Sequence, residues 1–279
     1  MTMATSLRLL RPTIILGMIL MTCVSAAQGK ECTAPAAIAD AVSSGSRPAS
    51  DAQLDAERKP AELLAFAGIK AGDRVADLIP GSGYFTRLFQ ILVGAEGRVY
   101  AVLPASLVEH DAKRLDPIKE IVSSASERNV SLLVEPYGEI GADAPLDVVW
   151  TSLNYHDVYG AVGPFAVASL SGEQAAEQLD ISAYKALKPG GVFMVIDHAA
   201  GAGAGASSAK SLHRMDSDIV IAQAKAAGFR LAGRLDILAN PNDSHEKQIF
   251  SPEIRGHTDK FVLKFVKPEK NPYKKRNCL

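Results

Sequence analysis

The chain is poor in cysteine, poor in aromatic residues and almost without net charge. Of its 279 residues three are Cys and one is Trp, and aromatics make up 6%. So few cysteines cannot staple a disulfide-dense scaffold, and no CxxC or Cys/His spacing marks a zinc site. Lys and Arg number 30 against 31 Asp and Glu. That balance lacks the basic excess of a chain built to coat nucleic acid or an anionic membrane. There is no GxSxG elbow and no GxxxxGK loop, so serine-hydrolase and NTPase readings have no support. No repeat of solenoid period is visible. Apolar residues are plentiful instead: 47% is enough for a sizeable core and excludes wholesale disorder.

The first 26 residues read as an address. Arg8 and Arg11 precede a nearly all-apolar run from Thr13 to Val24, and Val24-Ser25-Ala26 places small residues where a signal peptidase cuts. The run falls short of the roughly 20 residues that span a bilayer, which favours a cleaved signal over an anchor. The mature chain is then expected in a bacterial periplasm, free of the membrane. Its two cysteines, Cys32 and Cys278, either pair across the termini or are unrelated thiols. Residues 27–58 read as a loose leader, 59–268 as a single domain, and 269–279 as a solvated basic tail.

Hydrophobic periodicity sets the domain's class. Pro60 suits the first turn of a helix carrying Leu63, Leu64 and Phe66 on one face. Residues 84–93, 173–187 and 217–227 read as helices. Residues 74–78, 99–103, 130–134, 147–153, 192–197 and 261–266 read as strands, with 229–238 extended. Strands separated by helices predict an α/β, doubly wound, mostly parallel seven-stranded sheet covered on both faces.

Asp77-Leu78-Ile79-Pro80-Gly81-Ser82-Gly83-Tyr84 joins the first strong strand to the next helix. Glycines there let the backbone turn tightly and approach a ligand. Val75-Ala76-Asp77-Leu78 followed by Gly81-x-Gly83 resembles the first motif of the class I S-adenosylmethionine-dependent methyltransferases. Gly68 to Val75 and Ala186-Leu187-Lys188-Pro189-Gly190-Gly191 resemble their flanking segments. More narrowly, the chain is similar to bacterial predicted methyltransferases that carry a signal peptide. The shared phrases are Arg58 to Glu62, Asn154-Tyr155-His156-Asp157, Leu212-His213-Arg214 and Arg255 to Asp259. The resemblance implies a Rossmann-like methyltransferase fold and S-adenosylmethionine as cofactor, held by Asp77, Pro80, Gly81, Gly83, Tyr84 and Asn154. It also implies methyl transfer to a small, unidentified acceptor. Two positions depart from the family pattern: Ile79 replaces a Gly, and Val102-Leu103-Pro104 lacks the acid that receives the cofactor ribose.

A second polar cluster is expected where the later strands stop. His156 or His198 is a candidate base, since imidazole titrates near neutrality, with Asp157 or Asp197 to orient it. Tyr155, Asp157, His213 and Arg214 are candidate acceptor ligands, under a loop at 201–206 that reads as a lid. The same His156, Asp157, Asp197 and His198 allow a rival divalent-metal reading, but their spacing is not diagnostic and no metal is assigned. A rival of another class is an exported methyltransferase-like binding module without catalysis. The sequence points to a small-molecule substrate rather than nucleic acid and leaves the oligomeric state open.

Overall fold

The computed structural model describes residues 1, 36–125, 128–161, 163–165 and 170–269. The signal segment, Cys32, Cys278 and residues 270–279 of the basic tail lie outside the described residues. No helix among the described residues is long and apolar enough to cross a membrane.

One sheet organises the domain. Its strands are β1 (Arg74–Leu78), β2 (Arg98–Pro104), β3 (Val130–Glu135), β4 (Leu146–Ser152), β5 (Leu187–His198), β6 (Arg230–Arg234) and β7 (Lys260–Val266), in the order β3-β2-β1-β4-β5-β7-β6. The first five run parallel. Their near-continuous apolar runs, such as Val148-Val149-Trp150, suit strands buried on both faces. β7 is antiparallel to both β5 and β6, so the sheet is mixed: β7 alone runs against the rest, as a mostly parallel sheet allows. The reason lies in the connection. No helix separates β6 from β7, and parallel neighbours need a crossover. The chain therefore stays on the edge where β6 ends and returns downward.

The helices are α1 (Ala36–Ser43), α2 (Ala49–Ala52), α3 (Asp55–Arg58), α4 (Pro60–Ala67), α5 (Tyr84–Val93), α6 (Ala105–His110), α7 (Asp116–Ser124), α8 (Tyr155–Tyr159), α9 (Gly172–Ala186), α10 (Ser207–Leu212) and α11 (Ser217–Ala226). Residues 36–58 do not form the loose leader expected. Ile38 and Ala41 of α1 are buried in the common core. Arg47, 1% exposed in its side chain, pairs with Asp55, and Arg87 of α5 pairs with Asp51. Apolar residues at three-residue spacing and these ion pairs tie the segment to α4 and α5. On the sheet, Trp150 of β4 packs against Phe85 and Phe89 of α5, with ring centroids 4.8 and 5.2 Å apart. That contact fixes α5, and with it the turn between β1 and α5.

Candidate active site

The order of a doubly wound sheet reverses between β1 and β4, and the carboxyl ends there form a crevice. Asp77, 3% exposed, sits next to the last residue of β1 and accepts a hydrogen bond from Thr86 Oγ1 at 2.6 Å. Burial pushes its pKa up to about 7, against the opposing effect of Thr86. The chain then bends through Gly81 and Gly83 at φ 58° and 81°. Both angles lie where glycine is free of Cβ strain. Ile79 also takes a left-handed φ of 54°, which costs a β-branched residue on the order of 1–2 kcal/mol. Its neighbours hold it there. The Ile79 N–H donates to the Val102 carbonyl at 2.8 Å, and Asn154 Nδ2 donates to the carbonyls of Leu78 and Ile79 at 3.2 and 3.3 Å. Thr151 in turn donates to Asn154 Oδ1. Asn154 thus buttresses the turn as well as facing the crevice.

Two cavities adjoin at this end of the sheet. The first, about 290 Å³, is bounded by Asp77, Pro80, Gly81, Ser82, Asn154 and Asp157. The second, about 450 Å³ and mostly apolar, lies over β4 and β5 and is lined by Leu63, Ile196, His198, Leu238, Ile249 and Phe250 among others. Arg58, Phe85, Ser152 and Leu153 border both. Towards β2 only about 20 Å³ remains between Ile79, Val102, Pro104 and Pro136. Sequence reasoning missed Arg58 and Phe85 as wall residues, although the Arg58 to Glu62 phrase marked the region.

Tyr84 lines the smaller cavity and also braces the fold. Its hydroxyl donates to Asp55 Oδ1 at 2.5 Å and its ring lies 4.4 Å from the Arg58 guanidinium. It locks α3 to α5, and its hydroxyl proton is committed to Asp55.

In the polar cluster Asp197, fully buried, organises its neighbours. It accepts the backbone N–H groups of His156 and His198 at 2.7 and 2.8 Å, and its Oδ1 lies 2.6 Å from His156 Nδ1. The other ring nitrogen of His156 is 3.3 Å from Asp157 Oδ1, and that oxygen is 2.9 Å from His213 Nδ1. Burial opposes charge on His156, but Asp197 and Asp157 outweigh it and raise its pKa to about 10. A 1% exposed imidazolium with both nitrogens engaged cannot take a proton from an acceptor. The expectation of His156 as base is therefore corrected to a positioning role, and buried Asp197 supports it rather than touching a ligand. His198 differs. It lines the apolar cavity, its Nδ1 rests 2.6 Å from Thr258 Oγ1, and burial lowers its pKa to about 3. It is neutral with Nε2 available. Thr258, also missed, belongs to the Arg255 to Asp259 phrase.

Two further candidates turn away from the crevice. The Tyr155 hydroxyl lies 3.0 Å from both Asp180 Oδ2 and Gln223 Oε1, tying α8 to α9 and α11. Arg214 is fully buried, donating to Asp243 at 2.8 and 3.1 Å and to the Lys247 and Ala199 carbonyls at 2.9 Å. Both are structural. Asp157 remains at the crevice wall, with His213 paired to it at 2.9 Å, and it is held below the usual carboxylate range, where burial is outweighed by His156 and His213.

The donor set fits part of a sulfonium nucleoside. A buried carboxyl beside a left-handed glycine turn suits the cationic amino-acid end of such a cofactor. Nothing at the end of β2 supplies the ribose acceptor, and the space there is closed.

No family model matches the chain, and no curated protein matches it in sequence. Solved structures match it in fold. An S-adenosylmethionine-dependent methyltransferase from Aquifex aeolicus is 16% identical with a TM-score of 0.50, covering 79% of this chain and 98% of its own. The [4+2]-cyclase SpnF is 16% identical with a TM-score of 0.53, covering 80% and 82%. A protein from Galdieria sulphuraria, provisionally assigned as a sarcosine dimethylglycine methyltransferase, is 15% identical with a TM-score of 0.51, covering 79% and 85%. Identities this low speak to fold alone, and the presence of a cyclase among them shows that fold does not fix the reaction. The chain carries the Rossmann-like fold of the S-adenosylmethionine-dependent methyltransferases.

Proposed function

We propose that the protein is an exported S-adenosylmethionine-dependent methyltransferase acting on a small, largely apolar acceptor. The observation that carries this reading is the pair of adjoining cavities at one end of the sheet. One offers Asp77 and the glycine turn; the other is apolar with a neutral His198 on its wall. When bound, the cofactor supplies an electrophilic methyl group with a good leaving group, so the protein's task is alignment and proton removal. Asp77 faces the cationic end of the cofactor. Arg58, Phe85 and Leu153, at the border of the two cavities, set the approach of the acceptor. Nε2 of His198, kept neutral by burial, orients a hydroxyl or amine acceptor by a hydrogen bond, and the released proton leaves to solvent. Arg58, Arg255 and Lys260 against Glu57 alone line the larger cavity, which favours an acceptor bearing a negative group.

The second reading, a binding module without catalysis, is favoured by the closed β2 side and by the barrier a bilayer presents to a charged sulfonium. Calorimetric titration of the purified protein with S-adenosylmethionine and S-adenosylhomocysteine separates the two. Micromolar binding of both, weakened about tenfold or more in Asp77→Ala, supports the enzyme; no heat at millimolar ligand supports the module.

A further inference from the structure

We infer that His156, Asp157 and His213 form a binding site for one divalent first-row transition-metal ion in the wall of the smaller cavity. Nε2 of His156, a carboxylate oxygen of Asp157 and Nδ1 of His213 lie within 4.8 Å of one another. The two contacts through Asp157 Oδ1 measure 3.3 and 2.9 Å. Around an ion bound at about 2.0–2.1 Å, neighbouring donors sit roughly 3 Å apart. The two separations through Asp157 already suit an ion, and the two histidines, within 4.8 Å, close on it as it binds.

The surroundings match what such a site requires. A metal-binding histidine usually gives its far ring N–H to a carboxylate, which fixes the tautomer and aims the free lone pair. Asp197 does this for His156, 2.6 Å from Nδ1 and itself anchored by two backbone N–H groups. The His213 ring is braced edge-on by Phe250, with centroids 5.0 Å apart. Two imidazoles and one carboxylate favour zinc or iron(II) over magnesium or calcium, and three protein ligands leave a position open. Asp157 borders the smaller cavity, so the open position has a route to solvent and to a small ligand. Only a neutral ring coordinates, so loading releases the proton that His156 Nε2 shares with Asp157.

The inference stands independently of methyl transfer and is tested without S-adenosylmethionine. The untagged protein is stripped with chelator and titrated with Co²⁺, then Zn²⁺. One equivalent of Co²⁺ should give visible d–d absorption that Zn²⁺ abolishes. Affinity should fall roughly 100-fold in Asp157→Asn and in His213→Asn, and roughly 10–100-fold in Asp197→Asn. Asn tolerates the left-handed backbone of residue 213, at φ 55°. His245→Ala, which removes a separate His–Asp pair with Asp259, should bind as before. X-ray absorption of the zinc-loaded wild type should count two imidazoles. Absence of stoichiometric binding at micromolar ion, fewer than two imidazoles, or wild-type affinity in a folded Asp157→Asn or His213→Asn overturns the inference.

Discussion

Asp77 carries the sharpest consequence at the scale of single residues. Its pKa stands near 7 in the folded chain against 3.8 when free. The folded protein therefore keeps a proton that the unfolded chain releases between those values. Stability from this group is complete below pH 3.8 and is lost as pH rises to about 7, by at most on the order of 4 kcal/mol. Asp77→Asn should remove that part of the profile. Melting temperatures of wild type and variant, measured from pH 4 to 8, should diverge with rising pH in favour of the variant; parallel curves would refute the shift. Other residues show why a site is only partly legible in sequence. The neighbourhood of Asp77, Asn154, Asp157, His198 and His213 could be read because polar residues follow apolar strands. Roles could not. Whether His156 has a free nitrogen depends on Asp197 and Asp157, and whether Tyr155 faces a ligand depends on Asp180, 25 residues away.

Among the elements, the strands and the longer helices were legible because their apolar periodicity is sustained. The short helices α6, α7, α8 and α10 were not, since one or two turns carry too little period to distinguish from a loop. Residues 36–58 misled for another reason: Ala, Ser and Asp suggest a linker, while the buried Arg47 and its Asp55 partner make sense only in three dimensions. α5 is the element on which the crevice rests. Trp150, fully buried against Phe85 and Phe89, pins it to the sheet. Trp150→Ala should lower stability by about 3–5 kcal/mol. Urea unfolding followed by circular dichroism should show the midpoint falling with little change in slope. Trp150→Phe should be milder, because the indole Nε1 has no hydrogen-bond partner to lose.

At the scale of the whole molecule, the crevice draws its walls from distant parts of the chain, from Leu54 to Lys260. Segments 36–58 and 235–259 should therefore unfold with the sheet. Under the proposed function, S-adenosylhomocysteine at a hundred times its Kd should add about 2.7 kcal/mol to one cooperative calorimetric transition. A separate, unshifted transition would mean that one of these segments folds apart. The sheet class was legible from alternating strands and helices; the reversal at β7 was not, because direction depends on which edge the chain returns along.

That return edge has a consequence for selectivity. Leu238, Ile249, Phe250 and Arg255 all belong to the single stretch that bridges β6 and β7, while the glycine bend and Asp77 come from the opposite half of the fold. Replacing that stretch would reshape one side of the larger chamber while leaving the glycine bend and Asp77 in place, so the choice of guest can be retuned by exchanging one insert.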